Sequence, residues 1–520
     1  MIERGGRAAG AERRTVSSLC SECGAPVVFE AGADQVRCEH CQAGLVVGAG
    51  HRLIRLQCPS CAGNFYYLDG RMSGRCPFCD AALLALIRAR LLRFVIPPTR
   101  DRRPEGAEEL WLLPFWRLTG LLFGWDFGVR IERPDTSGLP ERGSGGEDPT
   151  EMAPSVSTDS GPQKLFRGRV VERLLPDAAS VALGVQSLRL RPQLFSMEPF
   201  AEEHSRLGRV VPPEGAATEM RERLFAVAMD LGTPRDGLTR LDAQRADLLA
   251  ESMSLLYYPF WLREAQGTRK LWDAVTGLPE QLAPPRPAKR PESPSAPAAR
   301  FASLKVLTLR CGECGEDLSP GGAGVVFPCT GCGRFWVAGE SELEPFVAHT
   351  AESSRRGENL RWLPYWRVEV VLQYGGAEAR TVSDLRRVLG VALPPGATES
   401  SPLDEPLRYY APAFGALQAP RLDFAGRDLT RWQPRLVEAV STVPGERFAC
   451  FFGPDDARRL AYVLWLQLLP GALPRKARTL RVATREVELW YLPFAEGARE
   501  LESLLTGTRY DRSTFRGVRH

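Results

Sequence analysis

Apolar positions along this chain fall into strand-like runs with a few helical stripes between them. The longest run, Leu110–Ile131, carries two apolar blocks around Gly120 and Gly124. Both faces of its WLLPFW core are apolar, the pattern of a strand buried on both sides. Pro114 cannot donate to a ladder, which predicts a bulge or an edge position there. Three further aromatic-proline strands follow: LLYYPFWL (Leu255–Leu262), RWLPYWR (Arg361–Arg367) and VELWYLPF (Val487–Phe494). Each half of the chain thus has one such strand early and one late, and pairing within one sheet per half is expected. Shorter strands are expected near Gly168–Leu174, Val181–Arg191, Val368–Tyr374 and in the run Arg408–Leu417. Helical spacing appears in Ala217–Leu231 through Met220, Leu224, Val227 and Leu231, and in Leu241–Leu256 through Leu248, Leu249, Met253 and Leu256. Asp456–Leu469 is a third helix, started by Gly453-Pro454-Asp455-Asp456, with a proline early and acids in the first turn. Residues 81–96 read as a short helix or a strand, stopped by Pro97-Pro98.

Four stretches break these patterns. Residues 1–15 are polar, and 133–163 are rich in Gly, Pro, Ser and acids, as in an inserted disordered loop. Residues 278–300 form a Pro-rich linker, a spacer between the halves whose PPRP could also serve as a polyproline ligand. The tail after Gly507 is basic and reads as loose.

The cysteines change the picture most. Twelve of the 13 fall in six CxxC pairs, and the pairs combine into three sets with 14 residues between pairs: Cys20, Cys23, Cys38 and Cys41; Cys58, Cys61, Cys76 and Cys79; Cys311, Cys314, Cys329 and Cys332. Two short hairpins that each present two thiolates place four sulfurs around a tetrahedral centre, a soft set that favours Zn²⁺ with iron as the rival. Reduced core thiols would require six CxxC pairs by chance, and redox CxxC motifs normally occur singly near a helix start. The three stretches 18–48, 56–86 and 309–338 resemble the zinc-ribbon superfamily, which implies one structural zinc each, three per chain. The resemblance is specific for a ribbon and unspecific for function, since such ribbons occur in transcription factors, topoisomerases, restart helicases and many uncharacterised bacterial proteins. The family often places Gly after the second cysteine of a knuckle. Gly24, Gly315 and Gly333 follow that habit; Gln42, Ala62 and Asp80 depart from it.

The second and third sets begin 253 residues apart, and each precedes an LP-aromatic-Trp-Arg strand, those strands being 250 apart. This order implies a duplication. The expected fold class is α+β: small β ribbons attached to two related mixed α/β-sheet domains. The expected organisation is a disordered start (1–15), ribbons at 16–50 and 51–88, a first domain at 89–277, the linker at 278–300, a third ribbon at 301–342, a second domain at 343–507 and the tail 508–520.

Composition narrows the function. With 44% hydrophobic and 25% charged residues the chain is globular. A net charge of +4 over 520 residues gives little support to a dedicated nucleic-acid binder. The start lacks the apolar core of an export signal, so a reducing cytoplasm is expected. No uncharged window of 18 apolar residues marks a spanning helix. There is no Walker loop, no GxGxxG after a strand and no HExxH, and four-cysteine sites leave zinc no open position for catalysis. His40 inside CEHC reads as a surface residue, and Cys450 as a buried strand thiol. These readings point to a non-enzymatic scaffold that docks other proteins, with no small-molecule substrate. The alternatives are a nucleic-acid factor and a thiol redox sensor. The aromatic-proline strands could line a groove for bases or a peptide, or be core. Trp116, Trp366 and the adjacent Arg117 and Arg367 are the candidate partner-binding residues, the two arginines expected to be exposed.

Overall fold

The computed structural model describes residues 53–68, 72–88, 91–99, 103–129, 162–188, 196–230, 240–265, 268–280, 300–319, 324–339, 341–355, 359–389, 404–414, 419–439, 446–468 and 479–511, with Leu282, Gly357 and four short strands between Thr15 and Val46. Strands dominate, and the few helices pack on them. Cys20, Cys23, Cys38, Cys41, Gln42 and His40 lie outside the described residues, as do most of 133–163, most of 278–300 and 512–520.

Two large sheets carry the architecture. In the first, Glu109–Val129 runs antiparallel to Arg240–Ala265 on one side and to Pro162–Pro176 on the other. In the second, Leu360–Tyr374 lies between Arg481–Glu496 and Arg408–Pro412. The early and late aromatic-proline strands of each half are therefore direct neighbours. The registers agree residue for residue. Pro114 faces Tyr257 as Pro364 faces Tyr491, and Phe115 faces Pro176 as Tyr365 faces Pro412. A parallel strand joins each late strand at the equivalent place, Val95 beside Tyr257 and Thr350 beside Tyr491.

Both central prolines occupy a gap in the ladder. The neighbours of Trp111–Leu112 and of Phe115 onward are different strands, so the missing N–H of Pro114 opposes nothing, and its carbonyl accepts from Asp177 N and Ser180 Oγ. The Pro364 carbonyl likewise accepts from Ala413 N.

Three expectations are corrected. Leu241–Leu256 is part of the long strand Arg240–Ala265, not a helix. Its leucine stripe suits either period, and twenty pairings along the neighbouring strand outweigh local propensity. The strand expected over Val181–Arg191 does not form in its described part, 181–188: Ala178–Ala182 is a short helix capped by Asp177, followed by a turn, and 189–191 lie outside the described residues. The tail is not loose at its start, since Arg509–Asp511 pairs with Glu500–Glu502. The helices Ala217–Asp230 and Pro454–Leu468 form where the periodicity places them, and residues 82–85 and 92–95 take the strand alternative.

The two halves pack directly. Phe123, Trp125 and Leu249, from the far end of the first hairpin, belong to the buried core of the second half. The Trp125 indole donates to Val463 O at 3.1 Å. The strand Ala82–Ala85, which leaves the second cysteine set, pairs with Val306–Thr308, which leads into the third. No helix among the described residues is long and apolar enough to cross a membrane.

Candidate metal centres

The two described sets, at 58–79 and 311–332, are built on the same local device. The second CxxC pair of the 58–79 set ends in a tight turn in which Asp80 N bonds Cys76 O and Cys76 N bonds Ala81 O, both at 2.9 Å. The turns at Cys58, Cys311 and Cys329 repeat this pattern: Ala62 N, Gly315 N and Gly333 N reach back to the first cysteine's carbonyl. Such a turn needs a left-handed residue after the second cysteine. Gly315 and Gly333 supply it at φ +77° and +74°, and Ala62 and Asp80 adopt it at +58° despite their Cβ atoms. The departure from glycine thus leaves the turn geometry intact.

The turns bring four sulfurs together twice. Within Cys58, Cys61, Cys76 and Cys79, and within Cys311, Cys314, Cys329 and Cys332, all ligand atoms lie within 4.8 Å of one another. The cross-pair contacts are 3.7 Å for Cys58–Cys79 and Cys61–Cys76, 3.6 Å for Cys311–Cys332 and 3.5 Å for Cys314–Cys329. A disulfide needs about 2.05 Å. Four thiolates at about 2.3 Å around a tetrahedral zinc sit roughly 3.8 Å apart, so both sets fit that ion.

In both described sets the first cysteine of a pair is buried and the second exposed. Burial raises the Cys58 thiol, but the N–H groups of Cys61 and Ser60 oppose it and the balance brings it down to about 7. Cys311 falls to about 6 in the same manner, against the N–H groups of Cys314 and Glu313. Cys76 and Cys329 are pushed up to about 12, burial being the largest cause. A cation held by such a set would keep its sulfurs as thiolates.

The strand Ala82–Ala85 links the two centres. Leu83 and Ala85 lie in the buried core that contains Cys58 and Cys76. Ala82 and Leu84 lie in a second core that contains Cys311, Cys329 and Trp336. Successive side chains point to opposite faces, so one strand backs both sets. The apolar run ALLA directly after CPFC is the sequence signal for this, legible only once the second core is known.

The candidate partner-binding residues are elsewhere and inward. Trp116 and Trp366 are buried, their indole N–H groups bonded to Asp177 Oδ2 and Phe452 O, each at 2.7 Å. Arg117 is buried at 3% exposure and pairs with Glu172 at 2.6 Å. Arg367 pairs with Glu488 at 3.1 Å and stacks over Trp490. The expected exposure of both arginines is corrected: Arg117 is buried and Arg367 half-buried, each held by a carboxylate from an adjacent strand of its sheet. Cys450 is fully buried, as expected, though in an isolated bridge to Val326 and not in a strand, and burial holds its proton firmly.

Comparison with family models, with curated proteins and with solved structures returned no match.

Proposed function

We propose that this chain is a non-catalytic scaffold whose structural zinc ions fasten its two halves into one body that docks other proteins. The observation that carries the reading is the strand Ala82–Ala85, whose two faces serve two different four-cysteine centres, one from each half. Zinc is the ion of choice because closed sets of four thiolates suit it and leave no open position for chemistry. Three ions per chain are expected, the third at Cys20, Cys23, Cys38 and Cys41. The matched registers of the two sheets support an origin by internal duplication. The compartment that suits these thiolates is the cytoplasm. Zinc binding of this kind contributes on the order of 10 kcal/mol to folding.

The test is a protease site inserted within 283–299, cut in the zinc-loaded protein. The halves should co-elute after cleavage and separate, or precipitate, once a chelator removes the metal. Elemental analysis should give three zinc per chain. Co-elution that survives complete zinc removal would overturn the fastening role, and iron in place of zinc would overturn the choice of ion.

One observation favours a second reading, that of a redox sensor. Cys61, Cys79, Cys314 and Cys332 are exposed and so open to oxidants. Zinc release by mild peroxide, reversed by thiol reductant, would establish it. A nucleic-acid role finds less support, because Arg117, Trp116 and Trp366 are buried.

A further inference from the structure

A cavity of about 570 Å³ lies where the two halves meet, walled by both metal-bearing segments and by the starts of two helices. Its apolar wall comes from Met72, Leu86 and Leu91 on one side and Met253, Val325 and Val337 on the others. Its polar wall is made by Arg88, Arg221, Glu251, Asp456 and Arg459.

These charges are unevenly used. Glu251 receives two bonds from Arg221, at 2.5 and 2.7 Å, and one from Arg459 at 2.7 Å. The Asp456 carboxylate accepts from Ala250 N at 2.8 Å and Gly453 N at 3.1 Å. Arg88 donates to Phe451 O at 3.2 Å, and its countercharge in the cavity wall is Asp456, which acts on it through space and not as a hydrogen-bonded ion pair among the described residues. Burial lowers its pKa, the direction expected of a desolvated cation whose charge is poorly compensated. The backbone is also forced here. Ala250 lies in a bulge where two residues oppose Gly120, at φ +50°, and such strain concentrates at functional sites. That bulge turns the Ala250 N–H to Asp456 and sets Glu251 between the two arginines.

We propose that this cavity binds a small amphiphilic anion, its single charged head on Arg88 and its apolar body along Leu86, Met253 and Val337. One compact anionic head, a carboxylate or a single phosphate monoester, fits better than an extended polyanion. Arg221 and Arg459 are engaged by Glu251, with Asp247 near Arg459, whereas Arg88 is opposed only through space by Asp456, so Arg88 offers the position for an anionic head. The head is a carboxylate or a phosphate ester, two groups that a guanidinium fork receives in the same way. The idea does not depend on which metal fills the cysteine sets.

The test uses full-length protein with its metal content verified, titrated calorimetrically with decanoate, decyl phosphate, decanol and decyltrimethylammonium. Decanoate or decyl phosphate should bind more tightly than decanol, and the cation more weakly; the tighter of the two anions assigns the head. Arg88→Met, which keeps the aliphatic stem, should weaken the anions by about tenfold or more and leave decanol unchanged. Thr218→Trp, on the exposed first turn of Ala217–Asp230 at the cavity wall, should weaken all ligands without touching the core. The proposal fails if neither anion binds below about 1 mM, if the cation binds as well as the anions, or if Thr218→Trp leaves the affinities unchanged. Loss of metal would be seen separately in the elemental analysis.

Discussion

Leu83 and Leu84 are adjacent in sequence, and the structure assigns them to different metal centres. Leu83 is 2% exposed in the core of Cys58 and Cys76; Leu84 is 0% exposed in the core of Cys311 and Cys329. Truncating either to alanine removes the same atoms from a fully buried position, which costs about 2–5 kcal/mol. A four-cysteine unit of this size folds together with its metal, so a local loss of about 3 kcal/mol appears as roughly 100-fold weaker zinc binding. The assay is competition against a chromogenic chelator, with Cys79→Ser or Cys332→Ser backgrounds used to silence one centre at a time. Leu84→Ala should weaken the Cys311–Cys332 centre and leave the Cys58–Cys79 centre within about twofold; Leu83→Ala should do the reverse. If both variants weaken the same centre, or neither moves beyond about twofold, the two-faced role of this strand is refuted.

Other expectations follow from single contacts. Ala62→Gly should stabilise the second cysteine set by about 0.5–1 kcal/mol, because glycine relieves the left-handed backbone at φ +58°; slower zinc loss to chelator would register it. Arg117→Ala should destabilise the first half by about 3 kcal/mol by breaking the buried Arg117–Glu172 pair; reduced nucleic-acid affinity with unchanged stability would contradict its burial. The His204–Glu198 contact at 3.3 Å, with Arg55 on the same carboxylate, raises His204 and lowers Glu198, the hydrogen bond between them being the largest cause. The stability it confers is complete between the ordinary glutamate and histidine values, 4.5 and 6.5. It is lost upward as His204 deprotonates through its raised value and downward as Glu198 protonates through its lowered one. The gap in melting temperature between the native protein and His204→Gln should therefore shrink as pH rises to 9; a gap constant from pH 6 to 9 would contradict the pairing.

Spacing alone determined the two described four-cysteine clusters. Their four CxxC pairs, with the same gap in each set, specify which sulfurs converge, because a tight turn within each pair fixes their directions whatever surrounds them. The aromatic-proline strands were legible for a similar reason: an apolar run on both faces has few places to go except the middle of a sheet. Local pattern failed where two periods coexist. The leucines of 241–256 satisfy a helical stripe, and only the long partner strand Glu109–Val129 made them a strand. Side-chain exposure was equally a tertiary matter. Arg117 follows a buried tryptophan and looks outward by alternation, yet it is buried and paired with Glu172 of the neighbouring strand Pro162–Pro176. The meeting of the halves, the strand shared by two metal centres and the cavity around Arg88 depend on residues more than 200 positions apart. No local rule encodes such contacts; they exist because two apolar faces, each too wide to leave in water, found each other.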